Sequence, residues 1–454
     1  MKVKSFFAMM FAATAFVACN NDEVPTGGIE GGAGEDTWAA FSIQLPKTVG
    51  TRAADAANAT VAETEVKTVA LYIEQNGHLN GEIKQLSDFA DADANNVYKA
   101  KVAVKAQAGV ANIWVVVNPT EEMHKRIMGL PANTAFHTAF DATVAQMAGG
   151  YDYATQTGVT NAGFVMANKA TKSVTLANVK TEDEAVNGGN VADSKNHFLI
   201  EVERAVAKVA VISKQAILAN LNALPEQGTF SDIKYYVAQV NEQTLMARKT
   251  DATAQPQGAK IITPGNSHDG KSFFGTSALI STPLDINGST VTGKALNSIY
   301  VLENSMLTPF QQNATHAVIV ATWTPKKLYK ADGTTEFTGY TTGGDFWFYN
   351  SKYYGEVPTE LVAAGTGDTY KWTEGKCYYR VYLYDKYGAD KFYDVVRNTI
   401  YNVNIASIKA PGSNTPNPPT PDPDPDPIEE DVWVTANVDI LPWSSANMDD
   451  VDLH

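Results

Sequence analysis

Ile113-Trp114-Val115-Val116-Val117-Asn118-Pro119 is the stretch on which the reading of this chain turns. The apolar run is too short for a buried helix and suits a central strand covered on both faces. Asn118-Pro119 stops it, because the residue before a proline is pushed away from regular helix and the proline cannot extend the ladder. Thr120 then stands as N-cap of a helix beginning Glu121-Glu122. Upstream, Val97 to Lys105 alternates with Tyr98, Val102 and Val104 on one face, and Thr68 to Glu74 reads as a strand closed by the hairpin turn Asn76-Gly77. Downstream, Phe136 to Met147 reads as a second helix, and Gly163 to Met166 and Ser173 to Leu176 as strands. A polar, glycine-rich stretch from Lys180 to Lys195 marks a boundary. Beyond it, strand-like runs recur at Phe198 to Val202, Arg204 to Val211, Ile233 to Val240, Ser298 to Leu302, Ala317 to Trp323, Phe346 to Tyr349, Cys377 to Tyr384 and Thr399 to Ile408, with a short helix over Lys214 to Leu224. The expectation is a mostly β chain of two β-sandwich domains in tandem, 53–195 and 196–410, with a few short helices.

The composition agrees. A length of 454 residues exceeds one ordinary core, and 44% hydrophobic with 19% charged residues suffices to bury two. The formal charge of -15 makes a surface that repels nucleic-acid phosphates and anionic lipid, so no nucleic-acid partner is expected. Of the two cysteines, Cys19 lies in the leader and Cys377 in a strand-like run. With Cys19 modified or removed, stability rests on packing and sheet hydrogen bonds, and Cys377 reads as a small buried side chain.

The front end is an address. Lys2 and Lys4 precede the apolar stretch Ser5 to Val17, and Phe16-Val17-Ala18-Cys19 closes it as a lipobox-like site, with Phe16 where leucine is usual. Residues 1–18 read as a secretory signal and Cys19 as the lipidated first residue; a plain signal cut near Ala18 is the alternative. Asn20-Asn21-Asp22-Glu23 and the tether Gly27 to Gly34 follow.

Two amphipathic strands occupy the ends of the chain. Near the start, Phe41, Ile43 and Leu45 share one face of a half-buried strand, with Ser42 and Gln44 opposite. Pro46 ends it, and the turn Thr48 to Arg52 carries a lone basic residue. At the other end, Pro411 to Pro427 cannot pack a core and forms a stiff stretch of ~3.1 Å per residue, on the order of 50 Å in all, within a linker over 411–431. Within 432–454 lies a second strand. Val432, Val434, Ala436, Val438 and Ile440 line one face, and Trp433, Thr435, Asn437 and Asp439 the other, where an added charge is expected to be tolerated. A lone strand on a linker is unstable, so it must pair with its own body or with another molecule. Cutting between Arg52 and Ala53 would detach the first strand covalently and leave a groove that Val434, Val438 and Ile440 of a neighbour could fill.

The chain resembles the Bacteroidetes fimbrillins, or type V pilins, and most closely the shaft subunit of their short (minor) fimbriae. The resemblance rests on Val110 to Pro119, Glu203-Arg204-Ala205-Val206-Ala207-Lys208-Val209, Tyr300-Val301-Leu302-Glu303-Asn304, Gly375 to Val381, Val396-Arg397-Asn398-Thr399-Ile400-Tyr401 and the tail Val438 to Trp443. It implies two transthyretin-like β-sandwich domains, lipidation at Cys19 and transport to the outer membrane; the acidic patch after Cys19 is similar to a surface-export signal of such lipoproteins. It further implies a propeptide over 19–52 removed by an Arg-specific protease, and insertion of a neighbour's C-terminal strand. The partners it implies are other copies of the chain, related anchor and tip subunits, and host or bacterial surface ligands.

Residues for chemistry are sparse. The seven histidines are scattered without metal-ligand spacing. Ser267-His268-Asp269 is contiguous, whereas the members of a catalytic triad meet from distant positions. Asp422, Asp424 and Asp426 lack the glycine and terminal glutamate of a calcium loop. No enzyme activity, cofactor or metal is expected. Phe346-Trp347-Phe348-Tyr349 with Trp372 could stack on a sugar, so a glycan-binding surface lipoprotein or accessory adhesin is the alternative of a different class.

Overall fold

The computed structural model describes residues 34–46, 61–93, 96–129, 144–146, 163–169, 172–187, 196–213, 228–240, 243–246, 249–251, 260–262, 284–285, 287–288, 298–304, 309–311, 313–387, 390–408, 410–416 and 434–442. The chain is mostly β. Its first half contributes β1 (Asp36–Gln44), β2 (Thr68–Gln75), β3 (His78–Gln85), β4 (Val97–Tyr98), β5 (Val104–Gln107), β6 (Gly109–Val117), α1 (Glu121–Met128), β7 (Val144–Gln146), β8 (Met166–Asn168), β9 (Lys172–Leu176), α2 (Glu182–Asn187) and β10 (His197–Arg204). These strands, β7 apart, form a nine-stranded sheet ordered β3-β2-β6-β8-β10-β1-β4, with β5 on β1 and β9 on β6. The two limbs of that path turn onto one another: Leu71 and Ile73 of β2 share a core with Phe41 and Ile43 of β1.

The local signals explain the elements. Asn76 and Gly77 take φ of 50° and 80°, the left-handed pair a two-residue hairpin needs. Thr120 caps α1 by accepting from the Met123 amide. The central run of β6 is buried on both faces: Ile113, Val115 and Val117 enter the main core, while Trp114 and Val116 pack beneath Met123 and Ile127 of α1.

The second half adds β11 (Val206–Ser213), β12 (Gly228–Ala238), β13 (Ile299–Leu302), β14 (His316–Pro325), β15 (Lys376–Tyr382), β16 (Thr399–Ile408) and β17 (Val434–Pro442). One sheet joins β13, β11, β16 and β17, and a second joins β12, β14 and β15. Val209, Tyr401 and Val403 of the first meet Tyr235, Ile319 and Tyr379 of the second in a common core, so this half is a β-sandwich.

Three expectations change. Residues 144–146 form a strand paired with Gln243–Leu245, not the end of a helix; the partner lies too far along the chain for local pattern to reveal it. The chain changes sheet at Ala205 and not in the polar stretch before it, because β10 pairs with β1 and β8 in the first sheet. Within that stretch Glu182–Asn187 form the helix α2. The third change concerns β1, which is buried on both faces. The helix expected over Lys214 to Leu224 lies outside the described residues.

Candidate strand-exchange site

β1 is an interior strand. It runs parallel to β10, with Ala40 opposite His197 and Ile43 opposite Ile200, and antiparallel to β5 and β4, with Trp38 opposite Lys105 and Gln44 opposite Val97. Phe41, Ile43 and Leu45 lie in the main core, and Phe41 stacks on Phe198 with ring centroids 5.9 Å apart. The other face was read as exposed, yet Ser42 is 0% exposed. Its Oγ lies 2.7 Å from His197 Nε2 and accepts from the Ala100 amide at 3.1 Å. His197 Nδ1 in turn faces the Val186 carbonyl on α2 at 3.0 Å. Burial holds this imidazole below its ordinary pKa, with the Val186 carbonyl opposing the shift and the Lys99 charge adding to it. Farther along β1, Thr37 Oγ1 donates to the Ala177 carbonyl at 2.7 Å and accepts from the Val179 amide at 2.8 Å. Asn196 Nδ2 donates to the Trp38 carbonyl at 2.8 Å. The alternation rule missed these polar hooks because serine and threonine on the outward parity of a strand usually meet water.

Cys19, Arg52 and Ala53 lie outside the described residues. The chain resumes at a 3-10 turn, Val61–Thr64, whose Glu63 is completely buried. Glu63 Oε1 accepts from Lys208 Nζ at 2.7 Å and from the Tyr300 hydroxyl at 2.5 Å, and its carbonyl accepts from Arg204 Nε at 2.9 Å. Arg204 also donates to Asn398 Oδ1 at 3.0 Å. Burial lowers the Arg204 guanidinium to about 10, with Glu63 and then Tyr300 opposing the shift. Beside this group, Arg397 donates to Glu303 at 2.6 Å and to the Met246 carbonyl at 2.9 Å. The charged positions within Glu203 to Val209, Tyr300 to Asn304 and Val396 to Tyr401, scattered in sequence, thus converge where the two halves meet. Charges set inside apolar strand runs were the available sign of it.

At the C-terminal end β17 pairs antiparallel with β16, Val438 opposite Val403 and Ile440 opposite Tyr401. Ala436 and Val438 pack against the second core, the face expected from alternation. The side chains of Val434 and Ile440 lie outside the described ones. Among the described residues β17 pairs with β16 alone, so it is an edge strand.

Residues 370–449 match the family described as major fimbrial subunit protein type IV, fimbrillin, C-terminal. Among solved structures, a fimbrilin from Porphyromonas gingivalis W83 is similar at 14% identity over 90% of this chain and 99% of that one, with TM-score 0.49. The tip fimbrial protein Mfa3 from Porphyromonas gingivalis matches at 12% identity over 90% and 100%, with TM-score 0.40. A fimbrial assembly protein from Parabacteroides distasonis matches at 9% identity over 82% and 92%, with TM-score 0.35. The fimbrillin region takes in β15, β16 and β17, the strands that carry the tail's docking edge.

The aromatic cluster and Cys377 are placed as follows. Phe346 is 0% exposed and stacks on Trp372 at 5.4 Å, and Trp347 Nε1 donates to the Gly367 carbonyl at 3.1 Å. Phe348 and Tyr370, each 37% exposed, are the most open aromatics near them. Cys377 is buried in the sandwich core, and burial raises its thiol pKa. Among the described residues no group of three or more His, Cys, Asp or Glu side chains could hold a metal ion.

Proposed function

We propose that this chain is the structural shaft subunit of a cell-surface fimbrium that polymerises by protease-triggered strand exchange and supports adhesion. In this reading the precursor is lipidated at Cys19, carried to the outer membrane and cut between Arg52 and Ala53. Release of β1 opens a slot in the first sheet, and a neighbour's β17 fills it. Mature domains follow over 53–195 and 196–410, with the crossing between sheets falling at Ala205. Related anchor and tip subunits, and surface ligands for the finished fibre, are its partners.

The observation that carries this reading is the pairing of the two ends. β1 and β17 are each 9 residues long, so either strand can fill the same slot. β1 is joined to the body through the single-arginine segment alone, and β17 through the proline-rich spacer. The fimbrillin match over the tail supports it further.

The test is to incubate the lipoprotein with an Arg-specific, trypsin-like protease and look for an SDS-resistant ladder. N-terminal sequencing of the polymer should read Ala53-Ala54-Asp55; polymer that begins at Cys19 would sink the reading. Arg52→Ala should remain a folded, lipidated monomer with no ladder. Burial of Phe41, Ile43 and Leu45 stabilises β1 by an upper estimate of ~1.5–3 kcal/mol each, so release without the cut is slow. A normal fibre yield from Arg52→Ala would reject the trigger.

A further inference from the structure

The slot that β1 occupies is polar at two places in a largely apolar wall, beside Thr37 near the start of the strand and beside Ser42 at its centre. The Val186 carbonyl only accepts, so His197 Nδ1 carries the ring hydrogen and Nε2 is left to accept from Ser42. Ser42 Oγ at the same time accepts from the Ala100 amide. A strand that replaces β1 must therefore present, at the place of Ser42, a side chain that both donates and accepts. An apolar residue would strand two buried polar groups.

We infer that the notch formed by His197 and the Ala100 amide sets the register of the incoming strand by binding Asn437 of a second copy of this chain in the place of Ser42. The inference rests on the strand-exchange reading. An asparagine meets both demands, its amide nitrogen donating to Nε2 and its carbonyl accepting from Ala100. Running in the direction of β1, this register lays Trp433 on Trp38, Thr435 on Ala40, Val438 on Ile43, Asp439 on Gln44 and Ile440 on Leu45. Trp433 then sits where Trp38 now packs, 5.7 Å from Lys105 Nζ, and Asp439 falls on the half-exposed position of Gln44. Ala436 is smaller than the Phe41 it replaces, and Val434 in place of Ala39 returns part of that volume.

The neighbouring registers fail. Slipping by one residue turns the apolar row away from the core. Slipping by two in one direction drives Trp433 into the place of Ala40, which is 0% exposed. Slipping by two in the other buries the Asn437 amide in that same apolar place and sets the Asp439 carboxylate against Nε2. The outward face of the tail, expected from the sequence to tolerate a charge, is thus inward once the tail is in the slot: Asn437→Asp offers no donor to His197.

The full-length protein is cut with the trypsin-like protease and its SDS-resistant ladder quantified. Asn437→Val should give about tenfold less ladder or lower, because two buried polar groups lose their partners. Asn437→Ser, which restores the residue of β1, should stay within about twofold of the parent on the same ground. Register is read independently by oxidation: Val97→Cys with Asp439→Cys should cross-link neighbouring subunits, and Val97→Cys with Leu441→Cys should not. Equal ladders from Asn437→Val and the parent, or the reverse cross-linking preference, overturn the notch while leaving strand exchange standing. No ladder from the parent protein overturns both.

Discussion

A chain ending at Pro427 should form no SDS-resistant ladder after protease treatment and should keep the circular dichroism and thermal transition of two folded sandwiches. β17 lies on one edge of the sheet that it forms with β16, β11 and β13, beyond the spacer, so its loss leaves the remaining strand pairs in place. The point substitution Val438→Asp should do nearly as much. Val438 packs on the second core while docked at home, and in the slot it takes the place of Ile43, which is 0% exposed. A carboxylate there is buried without a partner at a cost of roughly 3 kcal/mol or more. Ladder yield from Val438→Asp equal to that of the parent would make the tail a solvated appendage.

Lys208→Met should be the most damaging single change to stability. Lys208 and Glu63 are 2% and 0% exposed at the side chain and 2.7 Å apart. Removing one partner of a buried ion pair costs about 3–5 kcal/mol, even with the Tyr300 hydroxyl and the Arg204 charge still beside Glu63. The double variant Glu63→Gln/Lys208→Met should recover at least half of that loss. A glutamine oxygen can still accept from Tyr300, and the backbone bond from Arg204 to the Glu63 carbonyl is untouched. Denaturant midpoints measure both. A single variant that matches the parent would show that the pair contributes little to the join between the halves.

Much of the fold was legible because its signals are local. The Asn76-Gly77 turn, the Thr120 cap and the doubly buried β6 follow from backbone geometry and hydropathy period alone. What stayed hidden depends on partners remote in sequence. The His197–Ser42 bond spans 155 positions and the Glu63–Lys208 pair 145. Neither serine nor glutamate announces burial, and only a neighbouring strand turns an outward-facing parity inward. The sheet change at Ala205 was hidden for a related reason. β10 and β11 are both apolar, and which sheet each joins is decided by pairing, not by composition.

If the tail exchanges into the β1 slot as proposed, the different settings of β1 and β17 make assembly a one-way process under load. A strand bonded along one edge, as β17 is on β16, can unzip from an end, one ladder bond at a time, against a small force. A strand bonded along both edges and packed on both faces, as in the β1 slot, can leave only if many bonds shear together. A tail that passes from the first setting to the second surrenders a contact that peels readily for one that resists tension. A fibre so built would be loose in its unassembled parts and strong in its joints.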